Sequence, residues 1–246
     1  MESFIKFTNQ SQGKDRIFRA TQYACAFLKY LMRNKSSREE LVKKLHDLES
    51  SMSSGRKLFR LGNTVNSLDA ARQTLHLSDP VLRLCLTVSN LNRALYFICD
   101  NVLWARNLGL IRDIDKERWR LNASRYYYFA LVMSLTRDAY FIAQIMVQRA
   151  RRRRYEQKVH QHPDDHGDAA CVLVTKLDAF LSLLYESLRN NPPVVMDTVK
   201  NVCDLVIPLD RLGIYQTNAG VVGFCGLVSS LLGILSLVRP TLKMAP

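Results

Sequence analysis

A chain of 246 residues can enclose a sizeable core, as one large domain or two small ones. Its hydrophobic fraction of 48% is ordinary, but a formal charge of +13 calls for a polyanionic neighbour: nucleic acid, an anionic membrane face or an acidic partner. The six cysteines lie in apolar runs without a C-x-x-C pair, which argues against zinc ribbons, redox motifs and a disulfide-dense secreted module.

The pattern is helical nearly throughout, with sparse glycine and proline and no two-residue hairpin signal. The opening "MESFIKFTNQ" has no continuous apolar run, so no secretory signal is expected. A first helix is predicted from Asp15 to Met32, with Ile17, Ala24, Phe27, Leu28 and Leu31 on one side. A second starts at Ser37, which forms a capping box with Glu40, and continues through Leu41, Leu45, Leu48 and Met52. A third covers "SGRKLFRLGNTVNSL", Ser54 to Leu68. Leu58, Leu61, Val65 and Leu68 recur there at three- and four-residue steps, while Arg56, Lys57 and Arg60 crowd the first turn. The stripe either closes onto a bundle core or sinks below lipid headgroups with its cations on phosphate. In the second case each cation contributes about 1 kcal/mol.

Val81, Leu84, Val88, Leu91, Leu95, Ile98 and Val102 define the next helix, with Pro80 in its first turn and Gly109 past its end. Arg83, Arg93 and Asp100 interrupt it, and a mid-bilayer charge costs roughly 2.5–3.5 kcal/mol, so a span at 81–104 requires those groups to snorkel or face another helix. Asp115 or a neighbour can cap a long helix holding "YYYFALVMSLTRDAYFIAQIMV", in which Arg137 and Asp138 point about 100° apart and need not pair. The cluster Arg149, Arg151, Arg152, Arg153 and Arg154 opens a basic and polar linker at 149–170 that carries Pro163 and Gly167. It reads as a juxtamembrane anchor or targeting element, or as a solvated charge run. Helices are then expected from Cys171 to Asn190 and from Val194 to Ile207, before Pro208 and Gly213 break the chain.

No charge occurs from Leu212 to Val238. Those 27 residues would make a helix roughly 40 Å long, against a hydrocarbon core of roughly 30 Å, which predicts a membrane span. Gly220, Gly223, Gly226, Ser230 and Gly233 give it a small-residue face, suited to self-association or to packing on another span of the same chain. The reading is therefore an all-α, helical integral membrane protein with N-terminal amphipathic helices and a C-terminal transmembrane helix. Its regions are 1–80 (cytosolic, amphipathic), 81–148 (membrane-associated), 149–170 (linker), 171–211 (helical), 212–239 (span) and 240–246 (short cytosolic tail).

No catalytic constellation emerges: there is no phosphate-cradling glycine loop, and Asp164 and Asp165 lie in the linker. His160, His162 and His166 match no metal-site spacing. Tyr126, Tyr127 and Tyr128 at the head of an apolar run suit an interfacial belt better than base stacking. A non-enzyme is expected, with no cofactor, no metal and no nucleic-acid partner.

The runs "DRIFRATQYACAFLKYL", "SSGRKLFRLGN", "LCLTVSNLNRALYFICDNVLW" and "DTVKNVCDLVIPLDRLGIY", with the glycine-rich span, resemble the peroxisomal membrane protein 11 (peroxin eleven) family; linker and length look most like its alpha form. The resemblance implies a multi-pass peroxisomal membrane protein with both termini cytosolic, which elongates the membrane before division. It also implies self-association, pairing with related family members, contact with anionic membrane lipid, and work alongside a tail-anchored fission adaptor and a dynamin-like GTPase. The family's remodelling helix falls on Arg56–Leu75, which favours lipid for that stripe. The family's two-span picture puts the arginine cluster inside the organelle, whereas the positive-inside tendency would keep it cytosolic. Lys243 alone does not make the basic tail linked to coatomer in some alpha forms. Two other classes stay open: a pore for small metabolites, motivated by Arg83, Arg93, Asp100, Arg137 and Asp138, and a basic soluble adaptor or nucleic-acid binder.

Overall fold

The computed structural model describes residues 11–33, 39–160 and 169–242. Ser37, the His162–Asp168 stretch and Lys243 lie outside them, and so do the expectations placed on those residues. The described chain is all-α, with eight helices and no strand. They are α1 (Ser11–Met32), α2 (Glu39–Phe59), α3 (Asn63–Thr74), α4 (Pro80–Asn107), α5 (Lys116–His160), α6 (Ala169–Arg189), α7 (Pro192–Arg211) and α8 (Ala219–Val238), followed by a 3₁₀ turn at Pro240–Leu242.

Local chemistry sets several boundaries. The Asp79 carboxylate accepts from the amides of Val81 (2.9 Å) and Leu82 (3.2 Å), capping α4, and Pro80 sits where no donor is needed. Asp115 accepts from Glu117 (3.0 Å) and Arg118 (3.2 Å) at the head of α5. Gly109 ends α4 with φ of 78°, in the left-handed region that favours glycine.

Four expectations are corrected. Ser54–Leu68 is not one helix: Gly62, at φ 86°, turns the chain between α2 and α3. The arginine cluster does not begin a linker, because α5 runs on to His160 while Arg149 and Arg153 pair with Glu186 of α6. Pro208 stays inside α7, near its C-terminal end, where one missing donor interrupts little of the hydrogen-bond ladder. The last span is 20 residues rather than 27, since Asp210 accepts from the Thr217 amide (2.9 Å) and holds the preceding segment as a loop. Twenty residues of helix rise about 30 Å, the thickness of the hydrocarbon core.

Packing closes six helices into a ring in the order α4, α5, α7, α8, α1, α2 and back to α4. Helix α3 rides on α4, and α6 on α5. Glycines bring α8 close against α1. Gly220, Gly223, Gly226 and Gly233 of α8 lie against Tyr30, Phe27, Tyr23 and Arg16 of α1, and a Cβ on Gly223 would stand 2.9 Å from the Phe27 amide nitrogen.

The distribution of polarity inverts that of a water-soluble bundle. The largest fully buried side chains are Asn201, Asp138, Pro208, Ser187, Ser229 and Ser230, and the buried apolar residues are mostly alanine and cysteine. Leu84, Val65, Phe129, Phe224 and Leu231 lie outside. Water penalises such a contiguous apolar exterior, whereas lipid does not. Helices α5 and α8 are long and apolar enough to cross a membrane, and most of each apolar window is not buried within the protein.

Candidate functional site: an outward apolar stripe and an inward basic face

The segment that joins α2 to α3 has two opposite faces. Leu58, Leu61, Val65 and Leu68 point away from the bundle, with exposures of 53, 42, 68 and 48%. Arg56 and Arg60 point into the ring, and Lys57 lines the same interior.

Four charged groups organise that interior at the α1–α2–α4 junction. Arg56 Nε and Arg60 Nε donate to Asp15 Oδ1 at 3.1 and 3.0 Å. Arg60 also donates to the Tyr96 hydroxyl (2.7 Å) and reaches Asp100 (3.4 Å), with its guanidinium over the Tyr96 ring. Arg56 donates to Gln22 Oε1 at 2.7 Å. Burial raises the Asp15 carboxyl, but the fields of Arg60 and Arg56 outweigh it and hold the group below the usual carboxylate range. Burial, and then repulsion from Arg60, pulls Arg56 down to about 10.

Across the ring, Asp204 of α7 accepts from Arg19 of α1 and from Ser229 of α8, tying three helices together. Arg137 pairs with Asp138 (2.6 Å) and also with Asp197. Sequence spacing does not require the first pair; it forms because the long arginine side chain folds back towards its neighbour. Asn201 donates to the other Asp138 oxygen at 2.7 Å. Arg83, by contrast, lies outside the ring on the exposed side of α4.

The small-residue face is occupied within the chain. Gly220, Gly223, Gly226 and Gly233 carry α1, and the Ser230 hydroxyl donates to the Gly226 carbonyl (2.6 Å). Arg151 and Arg152 are exposed on α5, whereas Arg153 also reaches Ser182 at 3.3 Å. Among the described residues, no group of three His, Cys, Asp or Glu side chains is placed to hold a metal ion.

Sequence reading missed Asp15, Arg19, Tyr96 and Asp204 as organising residues. A signal was present: Asp197, Asn201 and Asp204 recur on α7 at three- and four-residue steps, with Arg211 two turns further on, and Gln12, Asp15, Arg19 and Gln22 do so on α1.

A family model described as Peroxisomal biogenesis factor 11 matches residues 1–238. The chain belongs to the Peroxisomal biogenesis factor 11 family. It is 50% identical to Peroxisomal membrane protein 11A of Rattus norvegicus over 244 residues, 99% of each chain. It is 48% identical to the Homo sapiens 11A protein over 245 residues, again 99% of each, and 45% identical to Homo sapiens 11B over 259 residues, all of each chain. This member of the biogenesis factor 11 family is thus closer to the 11A form than to 11B. No solved structure matches it. Its relatives are named as peroxisomal membrane proteins and biogenesis factors, not as enzymes, and its own two candidate spans are in keeping with the membrane in those names.

Proposed function

We propose that this family member shapes the peroxisomal membrane, elongating it ahead of division as a self-associating scaffold. The observation that carries the reading is the outward Leu58–Leu61–Val65–Leu68 stripe, whose polar side is already satisfied inside the protein. Short helices that bury apolar side chains in one leaflet expand that leaflet and favour curvature. Because Arg56 and Arg60 are paired internally, contact with anionic lipid falls to outward cations such as Arg151. Cytosolic termini, pairing with family members, and recruitment of a fission adaptor and dynamin-like GTPase complete the proposal by family resemblance.

Reconstituted full-length chain is expected to draw anionic liposomes into tubules. Leu61→Glu or Val65→Asp, each placing a charge where hydrocarbon is proposed, should cut the tubulated fraction at least about fivefold, since a charge at membrane depth costs roughly 2.5–3.5 kcal/mol. Equal remodelling by these variants contradicts the mechanism. The polar ring interior favours a second reading, a pore for small metabolites, because Arg93, Asp100 and Arg137 line it. Planar-bilayer conductance that falls on neutralising Arg93 supports the pore; a silent bilayer contradicts it.

A further inference from the structure

The ring surrounds a cavity of about 870 Å³ that is partly open to the outside, room for a small organic molecule rather than for a few waters. Eleven lysines and arginines line it against four aspartates, a surplus of seven positive charges. The aspartates are already engaged: Asp15 and Asp100 by Arg56 and Arg60, Asp197 by Arg137 and Lys200, Asp204 by Arg19. Among the described residues no carboxylate pairs with Arg16 or Arg93, both half-buried in the cavity lining, and the only side-chain partner of Arg93 is the Ser134 hydroxyl at 3.4 Å. Nε of the buried Arg19 also lacks an acceptor. At the rim, Lys116, Arg120 and Arg211 are exposed.

Like charges held this close in a low-dielectric interior repel strongly unless an anion joins them. A planar guanidinium with an unused donor edge matches two phosphate oxygens at once. Exposed cations around the opening draw an anion inward. We propose that the ring cavity is a binding site for a phosphate-bearing anion, held by Arg16, Arg19 and Arg93 and attracted by the rim cations. The site goes beyond both readings above, since neither curvature nor conduction requires its occupancy.

The test uses the purified full-length chain in phosphatidylcholine nanodiscs, with pyrophosphate as probe and chloride at matched ionic strength as control. Pyrophosphate should bind saturably and raise the Tm. Arg16→Gln and Arg93→Gln should each raise its Kd at least about tenfold, the loss of one charge-assisted hydrogen-bonded contact, while Arg93→Lys retains part of the affinity. Arg83→Gln, on the outside of α4, should leave it unchanged. Without pyrophosphate, Arg93→Gln should melt no lower than the wild type, because it relieves repulsion; that result separates a lost site from a lost fold. Adding phosphatidic acid distinguishes sources: competition marks a lipid headgroup phosphate as occupant, and its absence marks a free one. No saturable binding at millimolar pyrophosphate, or equal weakening by Arg83→Gln, overturns the proposal.

Discussion

Asp204→Ala is expected to destabilise the folded chain by about 3–5 kcal/mol, because it strands Arg19 as an uncompensated charge among α1, α7 and α8. The carboxylate accepts from Arg19 and Ser229 together, and both it and the arginine are almost wholly buried. The penalty comes from the orphaned partner rather than from the attraction itself. The double variant Arg19→Met with Asp204→Leu should therefore recover most of the loss, since replacing both charges by apolar groups of similar volume is often close to neutral. Thermal unfolding in detergent reads both variants. A single variant as stable as the wild type would mean that water, not protein, surrounds this pair.

Gly223→Leu should prise α1 from α8. An added Cβ meets the backbone of Phe27, at 2.9 Å from its nitrogen and 3.1 Å from its Cα, so no rotamer change on α1 relieves the clash. Overpacking of this kind costs about 1–3 kcal/mol, and the Tm of the monomer should fall accordingly. Val221→Phe, on the outward side of the same helix, should leave it almost unchanged. If the glycine face works between copies instead, Gly223→Leu would weaken crosslinked dimers while sparing the monomer's Tm. Because α1 already covers the glycine face, the proposed self-association is expected to use another surface.

The helices themselves were legible, because the three-four rhythm of Val81–Val102 and the capping chemistry of Asp79 and Pro80 are local. So was the last span, whose freedom from charge needs no knowledge of the fold. The direction of each face was not legible. A stripe such as Leu58–Leu68 reads alike whether it meets protein or lipid. What turns it outward is the pairing of Arg56 and Arg60 with Asp15 and Asp100, partners some 40 residues away. The helical arginine cluster escaped for a similar reason, since Glu186 lies 33 residues beyond Arg153. Gly62 could have been read as a hinge, but the apolar rhythm runs straight across it and hides the turn.

If the polypeptide presents apolar side chains to hydrocarbon around a charged interior, spin labels at Leu58→Cys, Leu61→Cys, Val65→Cys and Leu68→Cys in the bilayer-reconstituted chain will sit in lipid. Collision with oxygen, which concentrates in hydrocarbon, should be frequent at all four positions, and collision with a water-soluble nickel chelate should be rare. Frequent collision with the chelate, or shielding from both quenchers, would place the stripe in water or in a protein core and contradict the account.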